Sequence, residues 1–119
     1  MRGGDQKRSI HDKRFLLKLP VNFGVRNINN LGFTGDISPG GIFLKSARIF
    51  PVGSDLKVEM KSENGDIIRL IGFVQWGKEV APNLVWSVND AGMGIKIGKF
   101  VCGKEHYFKM LTKKRVGMS

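Results

Sequence analysis

Leu17, Leu19, Val21, Phe23 and Val25 occupy alternate positions, with Lys18, Pro20, Asn22, Gly24 and Arg26 between them. A side-chain period of two sustained over this length describes a strand with one buried and one wet face, and it excludes a helix. Pro20 has no N–H to give to a ladder, so the strand begins there or lies at a sheet edge.

Later segments repeat the theme. After a turn at Asn27, Asn29 and Asn30, the side chains of Leu31, Phe33 and Ile37 are expected to point inward. Thr34, Asp36 and Ser38 then share the opposite, wet face. Pro39-Gly40-Gly41 breaks that strand and Ile42-Phe43-Leu44 opens another. Pro51-Val52-Gly53 is a further turn, after which Leu56, Val58 and Met60 alternate with Lys57, Glu59 and Lys61. Asn64-Gly65 is a strong hairpin signal. Ile67 to Trp76 is apolar on both faces apart from Arg69 and Gln75, as expected of a central strand. Asn83 to Val88 and Gly92 to Ile97 supply two more strands. About six or seven short strands at such spacing predict an all-β barrel or sandwich. At the end the period changes: Tyr107, Phe108, Met110 and Leu111 cluster at helical spacing, and Lys113, Lys114 and Arg115 fall in the last turn, where cations suit the helix dipole. A helix over about 103–114 is expected to close one mouth of the barrel.

Composition narrows the function. The 119 residues fit one domain, and 41% apolar content can fill one core. One cysteine, Cys102, excludes an intramolecular disulfide and a multi-thiolate zinc site, and it points to a reducing, cytoplasmic setting. No apolar run is long enough to span a bilayer, and the polar start of the chain does not read as a secretory signal. The net charge of +10 is concentrated at the two ends. Residues 1–18 carry six Lys or Arg against Asp5 and Asp12, and residues 99–119 carry six against Glu105. Such ends either attract phosphates or serve as solvated tails. Residues 1–12, nearly devoid of apolar side chains, are expected to form a flexible basic arm.

No phosphate loop, dinucleotide fingerprint or nucleophile elbow is present, and His11 and His106 occur in no ligand or base pattern. Cys102 is expected to be a small buried or semi-buried filler and His106 a surface or helix-packing residue. The chain is therefore expected to be no enzyme. The informative stretch is Gly35-Asp36-Ile37-Ser38-Pro39-Gly40-Gly41. A carboxylate and a hydroxyl two residues apart project to one side of a strand, followed by glycines that let a ligand approach the backbone. The same residues could also form a serine-type turn that only stops the strand.

Asp36-x-Ser38-x-x-Gly41 resembles the D-x-S-x-x-G motif of PilZ domains, the bacterial receptors for cyclic di-GMP. Arg14-Phe15-Leu16-Leu17-Lys18-Leu19-Pro20-Val21 is similar to the segment after that family's second motif arginine. Pro51-Val52-Gly53-Ser54, Gly72-Phe73-Val74-Gln75-Trp76 and Gly92-Met93-Gly94-Ile95-Lys96-Ile97 resemble its later strands in order and spacing. The resemblance covers about residues 8–115. It implies a six-stranded antiparallel β-barrel with a C-terminal α-helix, spanning residues 13–115. It also implies a ligand site drawn from Arg8, Lys13, Arg14, Asp36, Ser38, Gly40, Gly41 and Trp76. Arginine's planar fork grips phosphate or the guanine O6/N7 edge. Asp36 would accept from guanine N–H groups, Ser38 would bond to phosphate or base, and Gly41 would leave room. Trp76 would pack beside a guanine or be a buried barrel tryptophan. The basic arm would fold over the ligand and signal to an effector protein. One departure stands out: the family pattern R-x-x-x-R places Ile10, not an arginine, four residues before Arg14, and the nearest arginine is Arg8. The alternative function is a PilZ domain that binds no cyclic di-GMP and acts by protein contacts, as in pilus or motility machinery. Nucleic acid is an unlikely partner on this reading, because most aromatics fall at positions assigned to the core.

Overall fold

The computed structural model describes residues 13–78 and 91–117. It comprises strands β1 (Phe15–Leu16), β2 (Pro20–Gly24), β3 (Asn30–Ile37), β4 (Gly41–Lys45), β5 (Asp55–Lys61), β6 (Ile67–Lys78) and β7 (Gly92–Cys102), followed by helix α1 (Lys104–Gly117). All pairings are antiparallel, in the order β1-β3-β2-β5-β6-β7-β4, and β4 also pairs with β3. That last pairing closes a six-stranded barrel and leaves β1 as an extra strand on β3. Closure leaves no open edge among the six. The expected barrel and terminal helix are both present. The expected strand at Asn83 to Val88 and the basic arm at 1–12 lie outside the described residues.

The interior is filled as the alternation requires. Leu17, Leu19, Val21 and Phe23 are buried, as are Ile42, Leu44, Leu56, Val58, Met60, Ile68, Leu70, Val74, Met93 and Ile95. Tyr107 and Leu111 of α1 join the same core. The alternation does not form one strand, however. It divides at Pro20, which starts β2. The register on β3 slips by one residue between the Leu16–Asp36 and Pro20–Phe33 pairs. Val25 lies beyond the end of β2 and is exposed. The Asn64-Gly65 hairpin is present, with Gly65 at φ +90°. Its turn is tied by the Ser62 hydroxyl, which accepts from the backbone N–H groups of Asn64 at 3.2 Å and Asp66 at 3.0 Å.

Strand β3 corrects the sequence reading. Leu31 and Phe33 face solvent, at 65% and 40% exposure, while Thr34 is buried at 1%. Against β4, Thr34 pairs with Leu44 and Asp36 with Phe43, so Gly35 is an extra residue in the ladder. A bulge of this kind reverses the in–out alternation on either side of it. Thr34 therefore points into the barrel, whereas Asp36, two residues on, points out. The buried threonine is paired: its hydroxyl donates to the Leu17 carbonyl and accepts from the Leu19 N–H at 2.9 Å. It thus bridges the segment where β1 and β2 slip past β3.

Strand β6 is central, between β5 and β7, as expected; its Ile67, Phe73 and Trp76 point outward and are exposed. Cys102 ends β7 on the surface and is not a buried filler. Helix α1 starts after Gly103, and His106 is half-exposed, with its Nδ1 3.3 Å from Asp66 of the β5–β6 hairpin.

Replacing Thr34 by valine keeps the shape but leaves the Leu17 carbonyl and Leu19 N–H without their partner. Urea unfolding should show a loss of about 1–3 kcal/mol with an unchanged m-value. Thr34→Ser should recover most of that loss. Equal stability of the valine variant would show that the hydroxyl does not bridge the slip.

Candidate ligand-binding groove

The outward turn of Asp36 sets the site. Along the barrel surface, Leu16 pairs with Asp36, Asp36 with Phe43, Phe43 with Gly94 and Gly94 with Trp76. One row across five strands thus places a carboxylate at one end and aromatic rings at the other. Gly94 makes the aromatic end possible. A Cβ there would lie 2.1 Å from the Trp76 indole nitrogen, so the indole rests directly over the glycine backbone. Phe43 and Trp76 stack across it, with ring centroids 5.4 Å apart and planes 19° from parallel. Trp76 is 48% exposed and is not the buried barrel tryptophan that was one of the two expectations. Phe33 and Phe73 are also at the surface, whereas Phe15, Phe23 and Tyr107 lie in the core and Phe50, Phe100 and Phe108 pack against it, so among the described residues most aromatics serve the core as expected.

At the other end, the Arg14 Nε donates to Asp36 Oδ1 at 2.6 Å, and its Nη1 donates to the Ser38 hydroxyl at 3.4 Å. Ser38 is nearly fully buried. Its hydroxyl accepts from the Gly41 N–H at 3.1 Å and donates to the Gly41 carbonyl at 3.3 Å, while its own N–H donates to that carbonyl at 2.9 Å. Ser38 therefore holds the tight turn that the sequence offered as an alternative, and it steadies Arg14 as well. At Gly41 a Cβ would fall 2.8 Å from the Ile95 carbonyl, so this glycine lets β4 approach β7. At Gly40, by contrast, a side chain would meet open space.

A groove of about 990 Å³ runs between the two ends, within the range typical of small-molecule sites. Arg14, Asp36, Ser38, Gly40, Gly41 and Trp76, all singled out in the sequence, line it together. Lys13 does not; its ammonium group sits 6.0 Å from the centre of the Phe15 ring. Arg8 lies outside the described residues. Phe43, Gln75, Lys78, Gly94 and Lys96 also line the groove and went unnoticed in the sequence. Only strand register reveals them, since nothing in the local pattern of Ile42-Phe43-Leu44 says that Phe43 stands beside Asp36. Among the described lining residues, Lys96 adds a second cation to Arg14 against the single carboxylate of Asp36, a balance that suits an anion. Among the described residues no cluster of His, Cys, Asp or Glu could hold a metal ion, and no helix is long and apolar enough to cross a membrane.

The groove is tied to the terminal helix. The buried Tyr107 hydroxyl donates to the Ser38 carbonyl at 2.6 Å and lies 3.4 Å from that of Gly41. Burial pushes its pKa well above the ordinary tyrosine value, with a small further push from Asp36, while Arg14 and the Ser38 bond pull it down.

A closed antiparallel barrel with a cationic, aromatic-ended groove beside a glycine turn offers the contacts that an anionic, ring-containing ligand would need. The profile of the PilZ domain matches residues 6–98, and the chain belongs to that family. Among solved structures, the Bacillus subtilis inhibitor of motility MotI/DgrA superposes with a TM-score of 0.71 at 14% sequence identity, covering 93% of this chain and 53% of that one. Such identity establishes a shared fold, and this chain spans about half the length of that protein. A search of curated proteins finds no significant relative.

The folded chain keeps the Tyr107 proton after an unfolded tyrosine, with a pKa of 10.0, would release it. Stability from this group is therefore complete below pH 10 and is lost as pH rises above it. Thermal unfolding from pH 8 upward should show wild type losing stability beyond pH 10 more steeply than Tyr107→Phe. Parallel curves would contradict the assignment.

Proposed function

We propose that this protein is a receptor for cyclic di-GMP that acts on a partner protein, with the groove between Arg14 and Trp76 as the ligand site. The observation that supports it most is the convergence of the family motif and an aromatic stack on one groove. Arg14 would grip a phosphate or the guanine edge bidentately. The Asp36 carboxylate, accepting from Arg14 through one oxygen, can use the other for guanine N–H groups. Trp76, backed by Phe43, offers an exposed ring face on which a base stacks. Ser38 shapes the turn, and Gly40 leaves the backbone open beside it. Arg8 and Lys13 belong to the leader that would close over the ligand, exchanging chain freedom for charge-assisted bonds.

A second reading has specific support. Ile10 stands where the family places an arginine, and the Arg14 and Asp36 charges already satisfy each other at 2.6 Å. On that reading the groove binds no dinucleotide and the domain works through protein contacts alone.

Isothermal titration with cyclic di-GMP at two salt concentrations separates the readings. Under the first, binding is measurable, weakens moderately with salt, and falls by about 2–3 kcal/mol in Arg14→Ala and in Asp36→Ala. The double variant should lose much less than the sum, because the two side chains act as a pair. Gly94→Ala should also weaken binding while keeping the fold, since the added methyl displaces an exposed indole. Absence of heat at millimolar dinucleotide would favour the second reading.

A further inference from the structure

The outer face of β6 carries an apolar stripe that no described part of this chain covers. Ile67 lies opposite Lys61, Ile71 opposite both Lys57 and Lys99, and Phe73 opposite Asp55 and Lys96. The apolar residues of this face are thus flanked in register mostly by lysines. Glu59 is engaged by Arg69 at 3.5 Å, which leaves the cations in excess. Beside the stripe, the turn at residues 26–29 overhangs the sheet, with its Arg26 carbonyl held by the Lys57 ammonium at 3.3 Å. Beside it is a concave slot of about 600 Å³, lined by Ile28, Ile71 and Val101 together with Arg26, Lys57, Arg69 and one acid, Glu59. Val101 is 58% exposed there.

An apolar surface with a mixed charged rim in which cations are in excess suits docking of an acidic partner. Shape and charge narrow the occupant. A bilayer needs a flat or convex face to press into, whereas this slot is concave and takes a protruding side chain. We propose that the outer face of β6 and the slot beside the 26–29 turn dock an acidic amphipathic segment of a partner protein, one branched or aromatic side chain entering the slot and carboxylates meeting Lys57, Arg69 and Lys99. The stripe runs along β6 toward Trp76 in the wall of the groove, so the partner would sit next to any bound ligand. The assignment does not depend on which ligand that is.

The test uses the full chain and a short acetylated peptide alternating glutamate with leucine, followed by amide-resolved NMR. The peptide should shift the resonances of Ile67 to Phe73 and Val101. Its affinity should fall about tenfold or more in Lys57→Glu/Arg69→Glu, where attraction becomes repulsion. Val101→Ser, a change at an exposed position that spares the fold, should weaken it as well. A peptide with lysine in place of glutamate should not bind. The proposal is overturned if that basic peptide binds equally, if shifts appear only around Arg14 and Trp76, or if neither peptide binds at millimolar concentration. It is also overturned if self-association of the chain buries the stripe, or if anionic phosphatidylserine vesicles or a single-stranded oligonucleotide bind this face while the acidic peptide does not.

Discussion

The extra residue at Gly35 decides which side of the barrel wall Asp36 faces. Without it, Thr34 and Asp36 would share a face, and the carboxylate would stand among buried aliphatic side chains or the threonine in water. With it, the threonine hydroxyl is spent inside on the Leu17 and Leu19 backbone, and the carboxylate emerges where Arg14 reaches it. Bulges recur where a sheet must re-aim one side chain. The slip between β1 and β2 answers this irregularity on the neighbouring strand, so the wall stays hydrogen-bonded across both defects.

From that single turn outward, the groove is a consequence of register. Once Asp36 faces solvent, Phe43, Gly94 and Trp76 follow in one row, and the missing side chain at Gly94 lets two rings meet above it. The Ser38–Gly41 turn then carries two duties. It steadies Arg14 on its outer side, and on its inner side it accepts the Tyr107 hydroxyl, which fixes helix α1 to the barrel. Groove and helix therefore share one structural corner. A change in the groove has a short, hydrogen-bonded route to the C-terminal helix.

Much of this was legible before any coordinates. Leu17 to Phe23 announced a buried strand face, Asn64-Gly65 a hairpin, and Tyr107 with Leu111 a helix packed by its apolar side. The family motif gathered Arg14, Asp36, Ser38 and Gly41. What was not legible has a common cause. The outward turn of Leu31 and Phe33 is invisible in the sequence because a one-residue bulge leaves no mark in a hydrophobic pattern; a glycine at 35 permits it without demanding it. Phe43 and Lys96 joined the groove through pairings between strands distant in sequence, which local periodicity cannot report. Which of the apolar residues of β6 face outward is set by register, and composition does not report it. No described residue covers that outer face, which makes it a candidate contact surface.

The account rests on the carboxylate–guanidinium pair and the ring stack forming two ends of one binding groove. Proton NMR of the chain with excess cyclic di-GMP tests this most directly. Magnetisation should pass from guanine protons to the Trp76 indole and the Phe43 ring, while the Arg14 Nε–H signal shifts as its bonding changes. If those ring and guanidinium signals stay unperturbed while dinucleotide binds elsewhere on the surface, the groove is not the ligand site.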